Sequence, residues 1–390
     1  MFEDLKVLEL ASVLAGPSAG QFFAELGATV IKVENAKTLG DVTRNWKTSG
    51  EMTDDRSSYF CSVNWGKRSI GVNLESLEGR QIVHRLVKES HIVIASYKPG
   101  DAARMGVDYE TLRKLNPRLI YAQITGYGSD DQRVGYDAVI QAESGFMSIN
   151  GEPGGQSLKM PVALIDILAA HQLKEGILLS MLKQTRSGEG DFIEVSLIQT
   201  AITSLANQAT NWLIGGKIPQ KQGSSHPNIA PYGDVFTTAE GREILLAIGT
   251  DKQFSDLTTL FDVPEMATDS RFSTNQSRVT NRAYLRKILS GLFLQVEADS
   301  ILKSLAASRI PAGPIRNIQE VFELAQAKEL LLYSMDLVGV RTYAGQPHPQ
   351  LKSHFLPPPH FGEHTVEILS NTLKMDPLTI QKLLTEGSVR

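Results

Sequence analysis

Cysteine is nearly absent from this sequence, because Cys61 is the single one among 390 residues. One cysteine excludes a disulfide framework and any zinc site built from several cysteines. Long hydrophobic runs are lacking too: no stretch reaches the roughly 18 uncharged apolar residues that a membrane-spanning helix requires. The first residues, MFEDLKVLEL, carry two acids before any apolar run, unlike a signal peptide. We therefore expect a soluble, cytoplasmic protein.

An excess of positive charge is also missing. The formal net charge is −4, so the composition does not indicate a basic surface for nucleic acid or membranes. We therefore expect neither a nucleic-acid nor a membrane partner. Hydrophobic residues make up 42% and charged residues 21% of the chain, which is the usual mix of a globular protein and excludes a disordered or collagen-like one. At 390 residues, two domains are expected from length alone.

The amino-terminal segment reads as strand, turn, helix and strand. Residues 6–10 (KVLEL) form an apolar, β-rich run, and ASVLAG is small and turn-like. Pro17 stands where the first position of a helix favours proline, and Gly27 suits the end of that helix. Residues 28–34 (ATVIKVE) are almost continuously apolar, as a buried parallel strand should be. This segment predicts a βαβ unit.

The same alternation continues and predicts an open, mostly parallel α/β sheet. A linker rich in Gly, Pro and Ser, residues 215–232, separates this region from a hairpin and several helices. The tail is short for an independent domain, so we expect it to pack back onto the first. The predicted helices cover residues 77–89, 109–115, 167–183 and about 197–213, the strands 91–96, 118–125 and 192–195, and the domains 1–214, 215–330 and 331–390.

The first turn, AGPSAG, invites a dinucleotide-binding interpretation. That fingerprint needs G-x-G-x-x-G, whereas this turn has only Gly16 and Gly20, four positions apart. We therefore disfavour nicotinamide or flavin binding, and a close-packed turn is the simplest interpretation. Free N–H groups at the start of the helix could still face part of an anionic ligand.

Two basic residues follow the strand HIVIAS directly. Lys98 and Arg104 lie six positions apart across a Pro–Gly turn, so both side chains could converge on one phosphate. Ligands of open α/β sheets bind at the carboxyl ends of strands, which is where these residues stand. Without further information, solvated surface charges are the more common situation for lysine and arginine.

Asp166 is the most unusual residue, because apolar residues flank it on both sides in PVALIDILAA. A carboxylate in such a run must be paired, hydrogen-bonded or placed at a helix start. One interpretation is an N-cap, which aspartate favours, and Asp137 in GYD could equally be a cap. The other interpretation is a nucleophile, because a helix N-terminus favours the ionised carboxylate.

Histidine is concentrated in the tail, at His348, His354, His360 and His364. The last two have the spacing of metal ligands, but no third ligand is evident. We expect no metal site.

Taken together, these segments resemble the family III CoA-transferases, the CaiB/BaiF group that includes formyl-CoA, carnitine and dicarboxylate CoA-transferases. The resemblance runs in order along nearly the whole chain. The matching stretches are VLELASVLAGPSAGQFFAELGATVIKVE, NWGKRSIGVNLES, ASYKPG, NPRLIYAQITGYG, GYDAVIQAESG, PVALIDILA, SGEGDFIEVSL, HPNIAPYGDVFTTAEG, IPAGPI and FGEHTVEIL.

The resemblance implies functional residues. The family's nucleophilic aspartate falls on Asp166, and its contacts to the CoA phosphates fall on Lys98 and Arg104. Asn35 replaces an arginine that contacts CoA in formyl-CoA transferase, which puts that contact in doubt. Further CoA-binding positions implied by the resemblance are Leu14, Ala15, Val72, Asn73, Leu74, Glu75, Ser96, Tyr97, Val134, Gly135, Tyr136 and Asp137.

The family's architecture is implied as well. It consists of a Rossmann-like open parallel sheet domain built from both chain ends, with a smaller inserted α+β domain. Two ring-like chains interlock as a homodimer. The partners implied are an acyl-CoA and a carboxylic acid, both substrates, with no tightly bound cofactor.

The implied reaction moves CoA from an acyl-CoA donor to an acid, with a small di- or hydroxy-carboxylate as the expected acceptor. It runs through an aspartyl anhydride and an aspartyl-CoA thioester on Asp166. Gly135 and the segment Gly223–His226 are candidates for stabilising the oxyanions, and the latter for a lid.

Three other functions remain open. An α-methylacyl-CoA racemase of the same fold uses a histidine where this chain has Tyr136, and tyrosine, with a pKa of about 10, is a poor base near neutral pH. A non-catalytic CoA-binding protein would use Asp166 only for structure. A nicotinamide dehydrogenase is the weakest alternative.

Overall fold

The computed structural model describes residues 1–334, 336–345 and 355–390, so His348 and His354 lie outside the described residues. The chain divides into two compact units, Met1–Ser144 with Met160–Leu205 and Glu329–Arg390, and Gly145–Lys159 with Ala206–Lys328. This division differs from the one expected above in placing residues 145–159 and 206–214 with the second unit and residues 329–330 with the first.

Strands occur in both units. Each of them is short, and the sequence of those in the first unit is dominated by Val, Ile and Leu. The strands are β1 (Lys6–Leu10), β2 (Thr29–Asn35), β3 (Lys67–Val72), β4 (Ile92–Ala95), β5 (Ile120–Thr125), β6 (Asp191–Ser196), β7 (Tyr232–Thr237), β8 (Glu243–Ala247), β9 (Ala312–Pro314), β10 (Leu331–Tyr333) and β11 (Val338–Val340).

Helices alternate with these strands. They are α1 (Ala15–Glu25), α2 (Ser58–Cys61), α3 (Leu77–Lys88), α4 (Asp101–Arg104), α5 (Tyr109–Leu115), α6 (Asp137–Glu143), α7 (Phe146–Ile149), α8 (Leu164–Ser187), α9 (Leu197–Thr203), α10 (Asn207–Leu213), α11 (Asp251–Leu260), α12 (Asn275–Thr280), α13 (Arg282–Phe293), α14 (Ala298–Ala307), α15 (Ile318–Phe322), α16 (Ala325–Lys328), α17 (Thr365–Glu367) and α18 (Pro377–Thr385).

The first unit is built on a six-stranded parallel sheet with strand order β3-β2-β1-β4-β5-β6. The predicted α/β class and parallel sheet are confirmed, and the order is that of a doubly wound, Rossmann-like sheet. The chain runs outward from β1 in one direction and from β4 in the other. The carboxyl ends of β1 and β4 therefore adjoin at the point where the strand order reverses, and there a crevice opens.

Strand β3 was missed because its sequence, KRSIGV, begins with three polar residues. In the fold, Lys67 is buried against Glu9, with Nζ–Oε2 at 2.8 Å, and Ser69 donates to Glu34 at 2.6 Å. Polar side chains can occupy a sheet interior when their partners are buried with them. The partners, Glu9 and Glu34, lie on other strands, so the local sequence pattern of β3 could not reveal them.

Three helix predictions need correction. The helix expected from residue 167 begins at Leu164, so Asp166 lies in its first turn. The single helix expected over 197–213 is two helices, since Ala206 adopts a φ of 48° between them. Helix α1 begins at Ala15, which makes Pro17 its third residue and not its first.

The carboxyl-terminal segment packs into the core of the first unit. Val389 is fully buried and forms a bridge with Val72, at the end of β3. The hydrophobic cluster around the sheet also contains residues from the tail, namely Ile368, Leu369, Leu373, Ile380 and Leu383.

The second unit has its own antiparallel sheet, β7-β8-β9, which includes the predicted hairpin. Phe236 on β7 stacks on Phe293 of α13, with ring centroids 4.8 Å apart, in a separate hydrophobic cluster. Within the described residues of both units, no helix combines the length and the apolar character needed to span a membrane.

Candidate active site

Asp166 lies in the first turn of α8 and is 8% exposed. The N-cap of α8 is Ala163, so the interpretation of Asp166 as an N-cap is wrong. The capping carboxylate belongs to Asp137, whose Oδ1 accepts from the N–H of Ile165 at 2.8 Å and of Asp166 at 3.4 Å. Asp137 is itself the first residue of α6, so it caps a helix other than its own.

The surroundings of Asp166 tune its ionisation. Burial, and then the negative charge of Asp137, raise the pKa of Asp166 to about 7. The carboxylate is therefore ionised in a large fraction of molecules near neutral pH and is poorly solvated when it is. These are the properties of a carboxylate that can attack a carbonyl carbon.

A cavity of about 250 Å³ opens beside Asp166 at the carboxyl ends of β1, β4 and β5. Its position is the crevice that the sheet topology predicts. Ten of the residues singled out by sequence line it: Leu14, Ala15, Ser96, Tyr97, Lys98, Val134, Gly135, Tyr136, Asp137 and Asp166.

A second cavity, of about 400 Å³, adjoins the first along Ser12, Ser96 and Tyr97. It opens between the carboxyl ends of β1, β2, β3 and β4, and a contact between Lys37 and Glu75 lies at its edge. Besides Ser96 and Tyr97, the expected site residues on this cavity are Val72, Asn73, Leu74, Glu75 and Arg104. Asn35, whose contact with CoA the sequence left in doubt, lines it as well.

Lys98 and Arg104 line different cavities. Lys98 belongs to the first and Arg104 to the second, where its guanidinium donates to Asp101 Oδ1 at 3.0 Å. The structure thus does not place both basic groups in one cavity, as their sequence spacing suggested. They lie on either side of Ser96 and Tyr97, on two parts of one continuous crevice.

Two glycines let the loops of the first cavity cross closely. A Cβ built on Gly135 would meet Cα of Gly126 at 2.6 Å, and one built on Gly126 would meet Cα of Gly135 at 2.7 Å. No side chain fits at either position without moving the backbone. This close approach holds Val134 to Asp137 over the end of β5.

Sequence reasoning missed Tyr59, a half-buried residue of the short helix α2. Burial and the nearby charges of Asp166 and Asp137 raise the pKa of Tyr59 to about 12, so its phenol stays protonated. Its ring packs edge-on against Trp46, with centroids 5.1 Å apart. No strand end or glycine turn in the sequence marks α2, which is why nothing pointed to it.

The segment Gly223–His226 belongs to the second unit and is pinned there by hydrogen bonds. Ser225 Oγ donates to Asp234 at 2.6 Å, and the carbonyl of His226 accepts from Arg282 at 2.5 Å. A lid function of this segment stays a prediction.

In the histidine-rich tail, His360 lies close to Asp54 and Asp55. One ring nitrogen of His360 and one carboxylate oxygen of each aspartate, the atoms that could bind a metal, all lie within 4.8 Å of one another. Both carboxylates are already paired, Asp54 with Arg56 at 2.6 Å and Asp55 with Arg44 at 3.3 Å. His364 accepts instead from the N–H of Ser69 at 3.3 Å. The arginines neutralise the charge that would attract a cation, so we assign no metal to these residues.

A sequence model of one family, CoA-transferase family III, matches residues 2–365. The chain belongs to CoA-transferase family III. It is therefore a transferase, and the resemblance deduced from the sequence is confirmed. The family's relatives with curated names act on acyl-CoA and carboxylate substrates.

Individual relatives support this assignment over nearly full length. The succinate–glutarate CoA-transferase of Agrobacterium fabrum is 40% identical over 94% of both chains. The human succinyl-CoA:glutarate CoA-transferase is 36% identical over 99% of this chain and 89% of its own. The crystal structure of a CaiB/BaiF family protein from Brucella suis matches 94% of this chain and 97% of its own, with a TM-score of 0.80 and 38% identity.

Proposed function

We propose that this family III enzyme transfers CoA from an acyl-CoA to a small dicarboxylate, with Asp166 as the nucleophile. The observation that carries the proposal is the position of Asp166. It is a buried carboxylate, ionisable near neutral pH, at the wall of a cavity at the carboxyl ends of the adjoining strands β1 and β4. Carboxylate nucleophiles split a difficult transfer into easier covalent steps.

The two adjoining cavities support an extended ligand such as acyl-CoA. The wider cavity, with the positive charge of Arg104 at its wall, suits the nucleotide and its phosphates. The pantetheine arm would pass Ser96 and Tyr97 and bring the thioester to Asp166. Leu14 and Ala15, at the start of α1, line the same passage, and their N–H groups have no hydrogen-bond acceptor among the residues that the structure describes.

The proposed reaction conserves charge and oxidation state. The Asp166 carboxylate attacks the thioester carbonyl, the C–S bond breaks, and an aspartyl–acyl anhydride and CoA thiolate result. The thiolate attacks the aspartyl carbonyl of the anhydride and releases the donor acid, leaving an aspartyl-CoA thioester. The acceptor carboxylate then reverses both steps. Because no electrons are gained or lost overall, the chemistry needs no redox cofactor.

The acceptor class rests on the relatives. Enzymes named for succinate and glutarate are 35–40% identical to this chain over nearly its whole length, so we propose a linear dicarboxylate of four or five carbons as substrate. The oxyanions of both tetrahedral intermediates need hydrogen-bond donors, each worth about 3 kcal/mol. The N–H of Gly135, on the cavity wall, is one candidate.

We also propose the family's interlocked homodimer, with the second unit inserted in the first. Large apolar side chains exposed next to one another on α8, and again at the end of α10, support a subunit contact at each of these two places. Leu179 and Leu182 on α8 are 67% and 65% exposed, and Leu213 and Ile214 at the end of α10 are 75% and 86% exposed.

Mass-spectrometric exchange tests the proposed reaction. Purified enzyme is given succinyl-CoA or acetyl-CoA together with glutarate, succinate, oxalate, mesaconate or a monocarboxylate, and new acyl-CoA species are measured. We expect glutaryl-CoA from succinyl-CoA and glutarate with the wild type, and none with Asp166→Ala. Trapping with hydroxylamine during turnover should leave a hydroxamate on Asp166.

Other outcomes would identify the alternatives. Deuterium entering a 2-methylacyl-CoA from heavy water would indicate the racemase. We do not expect this result, because the position of the racemase's histidine is taken by the exposed Tyr136, a poor base. CoA binding without exchange, hydrolysis or deuterium uptake would favour a binding protein. An Asp166→Ala variant that still transfers CoA would refute the proposed nucleophile.

A further inference from the structure

Val13 has a backbone conformation that its side chain disfavours. It lies in the turn between β1 and α1 with a φ of +71°, in the left-handed region. A β-branched residue there is an outlier, and such strain costs of the order of 1–3 kcal/mol. Strain of this kind persists only where surrounding groups enforce it, so the turn must be held from outside.

The group that holds it is Asp41. Both carboxylate oxygens of Asp41 accept from the N–H of Val13, at 3.3 and 3.2 Å. The same carboxylate accepts from the N–H and hydroxyl of Thr43, at 3.1 and 2.9 Å. The Asp41 side chain is 1% exposed. Asp41 lines the second cavity, but this low exposure leaves its carboxylate little surface for a ligand. Its link to the first cavity, which it does not line, is the turn at Val13.

Asp41 is fixed in turn by a buried charge cluster. Lys32 Nζ lies 3.0 Å from Asp41 Oδ2 and 3.0 Å from Glu9 Oε1, and it also donates to the carbonyl of Ala11 at 2.9 Å. One lysine thus holds both the carboxylate behind Val13 and the carbonyl just before the turn. Burial opposes ionisation of Asp41, but Lys32 and the donors of Thr43 outweigh it and keep the pKa of Asp41 below its usual value.

The turn decides where α1 begins. After Val13 come Leu14, the N-cap, and then the first helical residues, Ala15 and Gly16. Their N–H groups have no hydrogen-bond acceptor in the described part of the chain, and all three residues line the cavity that contains Asp166. The direction in which these donors point therefore depends on the conformation of Val13.

We propose that Asp41 is a positioning residue of this enzyme. It locks Val13 in the left-handed conformation and so aims the first N–H groups of α1 at the bound acyl-CoA. The identity of that ligand rests on the proposed function, whereas the lock on Val13 does not. Lys32 and Glu9 act one step further back, by holding the Asp41 carboxylate in place.

The test combines Asp41→Asn, Val13→Gly and the double variant. Asparagine keeps the shape but loses the charge that binds Lys32. We expect the affinity for free coenzyme A, measured by calorimetry, to fall about tenfold in Asp41→Asn, or about 1.4 kcal/mol. Glycine adopts positive φ readily. Adding Val13→Gly should therefore recover part of that loss, a rescue that a merely structural role of Asp41 would not produce.

Asp108→Asn is a matched control. Asp41 is the N-cap of the short 3₁₀ helix Val42–Asn45, and Asp108 is the N-cap of α5. Asp108 likewise accepts from the N–H and hydroxyl of a threonine, Thr111, at 3.1 and 2.6 Å. It lies outside both cavities, so its variant should bind coenzyme A like the wild type.

A crystal structure of Asp41→Asn reads the turn independently of any ligand. Val13 should leave the left-handed region; retention of positive φ would overturn the proposal even if coenzyme A does not bind. A folded Asp41→Asn with unchanged affinity would overturn it as well. If Asp41→Asn does not fold, a folded double variant that binds coenzyme A supports the lock. An unfolded double variant would make Asp41 a general folding residue and refute positioning.

Discussion

The two carboxylates of the proposed active site, Asp137 and Asp166, have different surroundings. Asp137 caps α8 by accepting from the N–H of Ile165. Asp166, in the first turn of the same helix, is buried and has a raised pKa. The negative charge that satisfies the helix start also discourages ionisation of Asp166. A site that keeps a carboxylate in such surroundings gives up stability for reactivity.

Asp166→Asn should abolish transfer and stabilise the fold. The folded state raises the pKa of Asp166 from about 4 to about 7, so it favours the protonated form. The stabilisation that comes from holding Asp166 protonated is complete below about pH 4 and is lost as the pH rises through 7. At pH 8 the folded protein therefore contains a buried, charged Asp166 carboxylate. We expect the variant to be more stable by about 2 kcal/mol at pH 8, in urea denaturation, with activity reduced more than about 10³-fold. A purely structural Asp166 would give a less stable variant.

The pH dependence of activity should follow the same carboxylate. Because the nucleophile must be ionised, kcat/KM should rise with pH and level off above about pH 7. Asp137→Asn keeps an oxygen that can cap α8 but removes the charge, so the midpoint should move to lower pH. Initial rates between pH 5 and 9 measure both profiles. A midpoint that stays unchanged in Asp137→Asn would contradict the proposed electrostatic coupling.

Among the structural elements, the loop that follows β5 and the loop that precedes α6 cross closely, and this crossing depends on Gly126 and Gly135. Gly135→Ala would force the backbones apart, since the new Cβ would meet Gly126 Cα at 2.6 Å. The displaced loop carries Tyr136 and Asp137, so we expect KM for acyl-CoA to rise at least about tenfold and the thermal midpoint to fall by several degrees.

Gly291→Ala is the control for that substitution. Gly291 lies within α13, and a Cβ there would meet nothing within 4 Å. Alanine is favoured over glycine in a helix by about 1 kcal/mol, so this variant should be at least as stable as the wild type and fully active. Normal kinetics in Gly135→Ala would show that the crossing does not hold the cavity.

For the whole molecule, the proposed interlocked arrangement predicts that the dimer stays intact on dilution. Two threaded chains cannot separate without opening one of them, so mass photometry at nanomolar concentration should detect dimers and no monomers. Leu182→Glu on the exposed face of α8 should impair assembly, whereas Leu378→Glu on α18, which is 83% exposed, should not. A monomer that appears reversibly on dilution would exclude an interlocked arrangement.

The sequence predicted the architecture of the first unit because parallel strands are buried on both faces. Such strands appear as short, continuous apolar runs, and β1, β2, β4 and β5 were recognised in this way. Strand β3 escaped because its polar residues are neutralised by partners on neighbouring strands. The break between α9 and α10 escaped as well, since one residue with positive φ leaves no clear mark in the sequence.

The sequence by itself determined the fold class, the family and the residues that could react, because residue type, apolar periodicity and ordered motifs are local properties. Only the tertiary structure decided what those residues do to one another. It showed that Asp137 and not Asp166 caps α8, that Lys98 and Arg104 stand on adjoining cavities, and that Asp41 holds Val13. Hydrogen bonds and electrostatic interactions act through space over a few ångströms, and the residues they join here lie tens of positions apart in the chain.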